Sequence, residues 1–247
     1  MISISSTRIS TLAAAALAVG TILSGSMASA ASVTSDVDLT NALSTTALAG
    51  FATSGTSGNA DSDMDGLVAT GSFDGVADEA LTFAAGTTAP GSFTLTQSGD
   101  TFFNSWSLTV ADGFLLTSLL LQGGPGDTVF DIATGDAGGS TTGSSAGLTF
   151  AETSGLTGSI DVTYFNPVGV TPDDPVGDIF ESLLIDLSGL DGGGLSFGQT
   201  LTFNQDTDNL SISGDIRPMN PVPLPAAGWM LIAALGGIGV MKRRGKA

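Results

Sequence analysis

The chain contains no cysteine and no histidine among its 247 residues. Without cysteine no disulfide can form, so an exported domain of this sequence must be held together by its core alone. Zinc and copper sites are disfavoured, because the chain lacks the cysteine and histidine ligands that these metals prefer. Nucleophilic sites of the Ser-His-Asp and Cys-His types are excluded in their usual forms. Gly143–Gly147 spells the G-x-S-x-G pattern, but without a histidine for Ser145 we interpret it as a chance match.

Basic residues are also scarce, with six Lys and Arg against 24 Asp and Glu. Arg217 is the only base between residues 31 and 221, and all 24 acidic residues lie in that region, which gives it a formal charge of −23. Phosphate binding needs cationic side chains, so nucleic acid is excluded as a partner. A charge of this size favours solubility and attracts cations as counter-ions.

The N-terminus has the pattern of a secretory signal peptide. Arg8 precedes the apolar run Thr11–Leu23, and Ala28-Ser29-Ala30 forms an Ala-x-Ala cleavage site. We therefore expect residues 1–30 to be removed on export. A membrane-spanning helix is the alternative, but the apolar run is short for a bilayer.

The C-terminus has a different pattern, an uncharged stretch of 16 residues from Ala226 to Met241. A bilayer span takes about 20 residues, so this stretch is marginal unless Trp229 and Val222–Pro225 add length. A tryptophan at the headgroup level and basic residues on the cytoplasmic side are typical of membrane helices. The pattern predicts a membrane helix with its basic tail in the cytoplasm, and a buried core helix is the alternative.

The uncharged stretch lies between a proline-spaced motif and a basic cluster. The motif is Val222, Pro223, Leu224, Pro225 and Ala226, and the cluster contains Lys242, Arg243, Arg244 and Lys246. In this order the 26 residues resemble the PEP-CTERM class of bacterial sorting signals, in its VPLPA-CTERM variant. The resemblance implies recognition by an exosortase, a membrane-embedded cysteine protease of which this chain would be the substrate. It also implies a Gram-negative host, a transient inner-membrane anchor, and delivery to the cell surface or an exopolysaccharide matrix.

Between the two ends, apolar and polar side chains alternate with a period of two residues. The alternation is clearest at residues 102–110, 159–165 and 179–187, and residues 114–122 are apolar on both faces, as expected of a central strand. Glycine-rich turns separate these segments. The pattern predicts an all-β domain over residues 31–213, followed by a linker at 214–221. The expected architecture is an antiparallel β-sandwich, jelly-roll-like or immunoglobulin-like, with one possible short helix at Leu39–Ala49.

The segment 61–66, DSDMDG, carries the first half of a calcium-binding loop. Alternate aspartates can converge on one hard cation, and Gly66 permits the sharp turn. The twelfth position is Ser72, where such loops carry a bidentate glutamate. We predict calcium as the possible cofactor, bound by Asp61, Asp63 and Asp65, with a solvated acidic loop as the alternative.

Two further acidic clusters are interpreted as turns. Asp206 and Asp208 lie between two strand patterns, which predicts a polar hairpin turn. The segment Phe203–Asn209 also resembles one found upstream of the sorting signal in proteins of this class. Asp173, Asp174 and Asp178 are flanked by prolines, which favours a rigid turn.

These observations favour a non-catalytic exported protein with an acidic β-domain. A carbohydrate-binding module is the alternative, and it would need exposed aromatic side chains. Trp106, Tyr164 and some of the 13 phenylalanines are the candidates, and we expect most of them to lie in the core. A carboxylate-based glycosidase is less favoured because no pair of acidic residues stands out from the rest.

Overall fold

The computed structural model describes residues 30–45, 48–50, 64–137, 141, 147–169, 177–210 and 216–218. The signal peptide up to residue 29, the motif at 222–226, the predicted membrane helix and the basic tail lie outside these ranges. In the ranges described, no helix has the length and hydrophobicity needed to cross a bilayer.

The regular secondary structure of the described residues is almost entirely β-strand, which confirms the predicted all-β class. In chain order the strands are β1 (Ser32–Asp38), β2 (Leu43–Ser44), β3 (Leu48–Gly50), β4 (Val68–Phe73), β5 (Val76–Ala84), β6 (Thr87–Thr88), β7 (Phe93–Thr96), β8 (Trp106–Val110), β9 (Leu115–Gln122), β10 (Thr128–Asp131), β11 (Ala151–Glu152), β12 (Ser159–Gly169), β13 (Ile179–Asp186), β14 (Leu195–Ser196), β15 (Thr200–Asn204), β16 (Asp206–Leu210) and β17 (Arg217–Pro218). A 3-10 turn at Gly124–Gly126 and the one-turn helix α1 (Thr134–Ala137) are the helical elements of these ranges.

The strands form one continuous, nearly closed sheet with a larger and a smaller half. The larger half has the order β1-β12-β13-β9-β4-β5, and β10 and β16 join it at the start of β13. The smaller half has the order β5-β6-β7-β8-β15-β11. β5 belongs to both halves. β15 leads into β16 with only Gln205 between them, so this stretch also passes from one half to the other.

Most pairs are antiparallel, as predicted, but β1 is not. It pairs in parallel with β12 over its whole length, from Ser32 opposite Ser159 to Asp38 opposite Phe165. β2 also runs parallel to the end of β12. The expectation of a wholly antiparallel sheet is therefore wrong at this edge. These partners lie far apart in the chain, so no hairpin fixes their relative direction.

The alternation in the sequence identifies the central strands correctly. β8 buries Trp106, Leu108 and Val110 on one face. β12 likewise buries alternate residues over its first half, and β9 lies between β4 and β13 in the middle of the larger half. The possible helix at Leu39–Ala49 is wrong, because β2 and β3 occupy part of that segment.

The main hydrophobic core is built around stacked aromatic rings. Trp106 and Phe203 are parallel, with their ring centroids 6.1 Å apart and 2° between the planes. Phe150 stacks on Phe203 at 4.9 Å, and Phe83 contacts Trp106 at 5.8 Å. These rings come from the turn before β11 and from β5, β8 and β15, so they join elements that are distant in sequence. A second, smaller cluster contains Val129, Val168, Ile179 and Leu210, with Leu43 and Ile216 packed against it.

Truncation of Phe203 should destabilise the fold strongly. Phe203→Ala removes a fully buried ring from between Trp106 and Phe150. We expect a loss of about 3–5 kcal/mol in the free energy of unfolding, measured by denaturant titration. Phe197→Ala is the matched control, because that ring is 63% exposed and its loss should cost less than about 0.5 kcal/mol. Equal losses for the two variants would contradict the assignment of Phe203 to the core.

Candidate functional site

Four aspartates lie together in the larger half of the sheet, and none is more than 1% exposed. They are Asp131 at the end of β10, Asp178 just before β13, and Asp206 and Asp208 in β16. Asp131 and Asp206 are direct cross-strand partners. Asp208 follows Asp206 by two residues, so both side chains are on the same face of β16. We call these four residues the acidic cluster.

The acidic cluster is on the face of the sheet opposite the main core. In β10 the main core takes Phe130, whereas Val129 belongs to the smaller cluster and Asp131 shares its face by alternation. The segment that begins at Gly147 covers this face closely. A Cβ atom on Gly147 would lie 2.4 Å from Oδ1 of Asp131, which explains why a glycine is needed there. The carboxylates are therefore buried by covering segments and are excluded from solvent.

Hydrogen bonds reach some members of the acidic cluster but not all. Thr141 donates its backbone N–H to both oxygens of Asp178, at 2.8 and 2.9 Å, and its hydroxyl to Oδ1. Thr101 donates its hydroxyl to Oδ1 of Asp206 at 2.8 Å. Neither carboxylate oxygen of Asp208 has a hydrogen-bond partner. A buried polar group without a partner is costly, so Asp208 needs a physical explanation.

The electrostatic surroundings of Asp208 oppose its ionisation. Burial, followed by the negative charges of Asp131, Asp206 and Asp178, raises the pKa of Asp208 from its ordinary value of 3.8 to about 8. Burial also raises the pKa of Asp206 to about 6, although its hydrogen bonds from Thr101 and Thr207 oppose this. These surroundings therefore favour the protonated form of Asp208 at neutral pH.

Next to the acidic cluster, Gln205 forms a fully bonded polar centre. Its Nε2 donates to the backbone oxygens of Asp131 and Asp206, at 3.2 and 2.8 Å. Its Oε1 accepts the hydroxyl of Tyr164, and its backbone oxygen accepts Nε1–H of Trp106 at 3.0 Å. The Tyr164 hydroxyl in turn accepts the backbone N–H of Phe150 at 2.7 Å, and burial raises the pKa of Tyr164 above its ordinary range.

A separate polar groove of about 500 Å³ opens at the end of the smaller half. Its lining is Ala85, Gly86, Thr96, Gln97, Ser98, Asn104 and Ser105. None of these residues is charged, although the domain is strongly acidic. Hydroxyl and amide groups without formal charge are suited to a neutral, hydroxyl-rich ligand. We call this feature the polar groove.

The predicted calcium loop is only partly described. Asp61 and Asp63 lie outside the described residues. Asp65 is exposed, and its Oδ1 accepts the backbone N–H of Ala85 at 2.7 Å. That bond stabilises a turn in which Ala85 has a positive φ of 50°. Asp65 thus has a structural partner, and in the described ranges no three acidic side chains are placed to share one metal ion.

The aromatic candidates for carbohydrate binding are not available at the surface. Trp106 and Tyr164 are fully buried, as expected of core residues, so neither contributes to an exposed aromatic platform. Among the described residues, Phe103 and Phe197 are the large aromatic side chains that are most exposed, at 79% and 63%. Phe103 directly precedes two residues of the polar groove, Asn104 and Ser105.

The polar hairpin turn predicted at Asp206 and Asp208 is also wrong. Residues 206–210 form β16, whose partner is β10, and Asp206 and Asp208 are buried in it. The segment lacks apolar alternation, so the pattern for a half-buried strand is absent. The sequence carried only a weak signal for a strand here. The β-branched residue Thr207 lies between two aspartates, three residues after a well-patterned strand.

Stability should fall as the pH rises, because of Asp208. Its folded-state pKa of about 8 exceeds the ordinary 3.8, so between these values the folded state holds a proton that the unfolded state has lost. Without added cations, stability should decline between pH 6 and 8 by up to about 1.4 kcal/mol per pH unit. Asp208→Asn should flatten this slope and stabilise the protein at pH 8, as measured by thermal unfolding.

Asp112→Asn is the control for that experiment, since Asp112 is exposed in the turn between β8 and β9. This variant should keep the pH dependence of the unsubstituted protein. An identical slope in the Asp208→Asn variant would show that Asp208 does not hold the proton.

Comparisons with known proteins give no family for this chain. No protein-family model matches it, and neither a curated protein nor a solved structure is similar to it at a significant level. Its function must therefore be inferred from its own residues. Two places stand out in the described ranges, the acidic cluster and the polar groove, and the terminal sequence patterns add a third source of information.

Proposed function

We propose that this protein is an exported, exosortase-processed protein of the cell surface or extracellular matrix, with a non-catalytic acidic β-domain. The observation that carries the proposal is the order of three segments: the motif at Val222–Ala226, the apolar stretch to Met241, and the basic tail. A proline-rich segment just outside a bilayer is accessible to a membrane protease. The basic tail holds the C-terminus in the cytoplasm and directs the domain outward.

Several features of the described domain support a binding or structural role over catalysis. A glycosidase needs two carboxyl groups that reach the substrate on either side of a glycosidic bond. The carboxyl groups with raised pKa values, Asp206 and Asp208, are instead enclosed within the sheet. The high negative charge also suits a protein that must stay soluble outside the cell.

We further propose that the mature domain, residues 31–213, is a sandwich of the two halves of the sheet. One aromatic pair supports this arrangement, because it joins the two halves: Phe73 of β4, in the larger half, packs against Phe93 of β7, in the smaller half, with ring centroids 6.2 Å apart. The continuous pairing through β5 and β15–β16 would make it a sandwich with joined edges, distinct from a jelly roll or an immunoglobulin domain with two separate sheets.

Processing can be tested directly in the native host. Intact-mass measurement should show a mature protein that lacks residues 1–30 and the tail after about Ala226. Replacement of Lys242, Arg243, Arg244 and Lys246 by Gln should cause poor retention or misprocessing, because the apolar stretch is marginal in length without its topological charges.

Arg217→Gln is the matched control, since it removes a base outside the tail and should leave processing unchanged. A surface-exposed product that still carries Lys242–Lys246 would overturn the sorting proposal. Normal cleavage of the variant without tail charges would show that the proline motif and the apolar stretch suffice.

A carbohydrate-binding role is the second candidate, and the polar groove is the observation that favours it. Its uncharged hydroxyl and amide groups can exchange hydrogen bonds with sugar hydroxyls. It also lacks the carboxylates that would repel an acidic polysaccharide. The exposed ring of Phe103, next to Asn104 in the chain, could stack on the apolar face of a sugar.

Substitution in the polar groove should weaken polysaccharide binding. Replacement of both Asn104 and Ser105 by Ala removes two hydrogen-bonding groups, each worth about 0.5–1.5 kcal/mol, so affinity should fall about tenfold. Affinity electrophoresis in gels containing the host's exopolysaccharide measures the effect. Ser188→Ala, an exposed serine outside the groove, is the control. Unretarded migration of the unsubstituted protein would remove this second candidate.

A further inference from the structure

The acidic cluster concentrates buried carboxyl groups, and residues 31–221 contain a single basic side chain, Arg217, that could compensate them. Asp208 is fully buried, both of its oxygens lack a hydrogen-bond partner, and it shares its face with Asp131 and Asp206. Asp178 is the fourth carboxylate nearby. The only basic residue in the described ranges is Arg217, in β17. Several carboxylates in one water-excluded place cannot all be ionised without a positive partner.

Apart from Arg217, the positive partners available to the cluster are a proton or a cation taken from solution. Calcium is the cation whose chemistry fits this setting best. It binds six to eight oxygens, which include carboxylates, backbone carbonyls, threonine or amide oxygens and water, in flexible geometry. Magnesium requires near-ideal octahedral geometry and keeps most of its water, which a buried site does not favour. Zinc and copper would need His or Cys, and the chain has neither.

We propose that the acidic cluster is a calcium site, with Asp208 as its central ligand and one flanking carboxylate, Asp131 or Asp206, as the second. Three carboxylates do not surround one point in the described ranges. The proposal therefore requires that backbone, amide or water oxygens complete the coordination. This site is distinct from the loop of Asp61, Asp63 and Asp65. It does not depend on how the protein is sorted, so its test and the test of processing can fail separately.

Calcium should stabilise the protein against thermal unfolding. Full-length protein, purified in mild detergent and stripped with chelator, is unfolded thermally at pH 8.5 with and without calcium, at constant ionic strength. At twenty times the dissociation constant, calcium should raise the melting temperature by about 4–7 °C.

Three variants locate the effect. Asp208→Asn keeps the shape of the side chain but should lose the calcium shift. Asp112→Asn, on the exposed surface, should keep the shift. Asp63→Asn distinguishes the predicted loop from the cluster, and it should also keep the shift.

Other outcomes would overturn the proposal. Stabilisation by acid but not by calcium would show that protons alone neutralise the cluster. A calcium shift that survives in Asp208→Asn would place the ion elsewhere, and its loss in Asp63→Asn would place it in the loop. A shift that appears only in Arg217→Gln would identify Arg217 as the cluster's own counter-charge. Equal shifts with calcium and magnesium would indicate general screening of the acidic surface.

Discussion

The structure depends on the way one continuous stretch, residues 200–210, crosses from the smaller to the larger half of the sheet. Gln205 lies at the crossing. Its hydrogen bonds with Trp106 of β8, Asp131 of β10 and Tyr164 of β12 hold these three strands together at that point. Because the amide is fully buried, each of these bonds is strengthened by the exclusion of water. The same bonds fix the register of β16 and thereby bring Asp206 opposite Asp131.

The excess of negative charge is the second constraint on the structure. Most of the acidic side chains in the described ranges are exposed or half-buried, where solvent and counter-ions reduce their repulsion. The acidic cluster has no such relief, and the chain supplies almost no cationic side chains to compensate it. Residues 31–221 contain one base, Arg217, against 24 acidic residues, so we expect the stability of this region to depend on the ions of the medium.

The sequence predicted what local patterns control. Alternation identified β8, β12 and the central position of β9, because each strand presents one face to the core. It failed for β16, where the residues are polar and burial comes from covering segments that no local pattern reveals. It failed for the parallel pairing of β1, since direction is set by a partner far along the chain. The sequence pattern predicted Asp65 as a metal ligand, but its Oδ1 accepts a hydrogen bond from the backbone N–H of Ala85, twenty residues away.

The nearly closed sheet has a consequence for the time course of folding. Its ladders pair β3 and β10 with β16, and β8 with β15, so the sheet cannot close until these last strands are present. Loops of this length carry a large closure entropy, and folds dominated by such long-range pairings form slowly. A chain that emerges gradually from a membrane channel would expose the unpaired edges of its early strands until β15 and β16 arrive. Folding of this domain is therefore expected to be a late, all-or-none event.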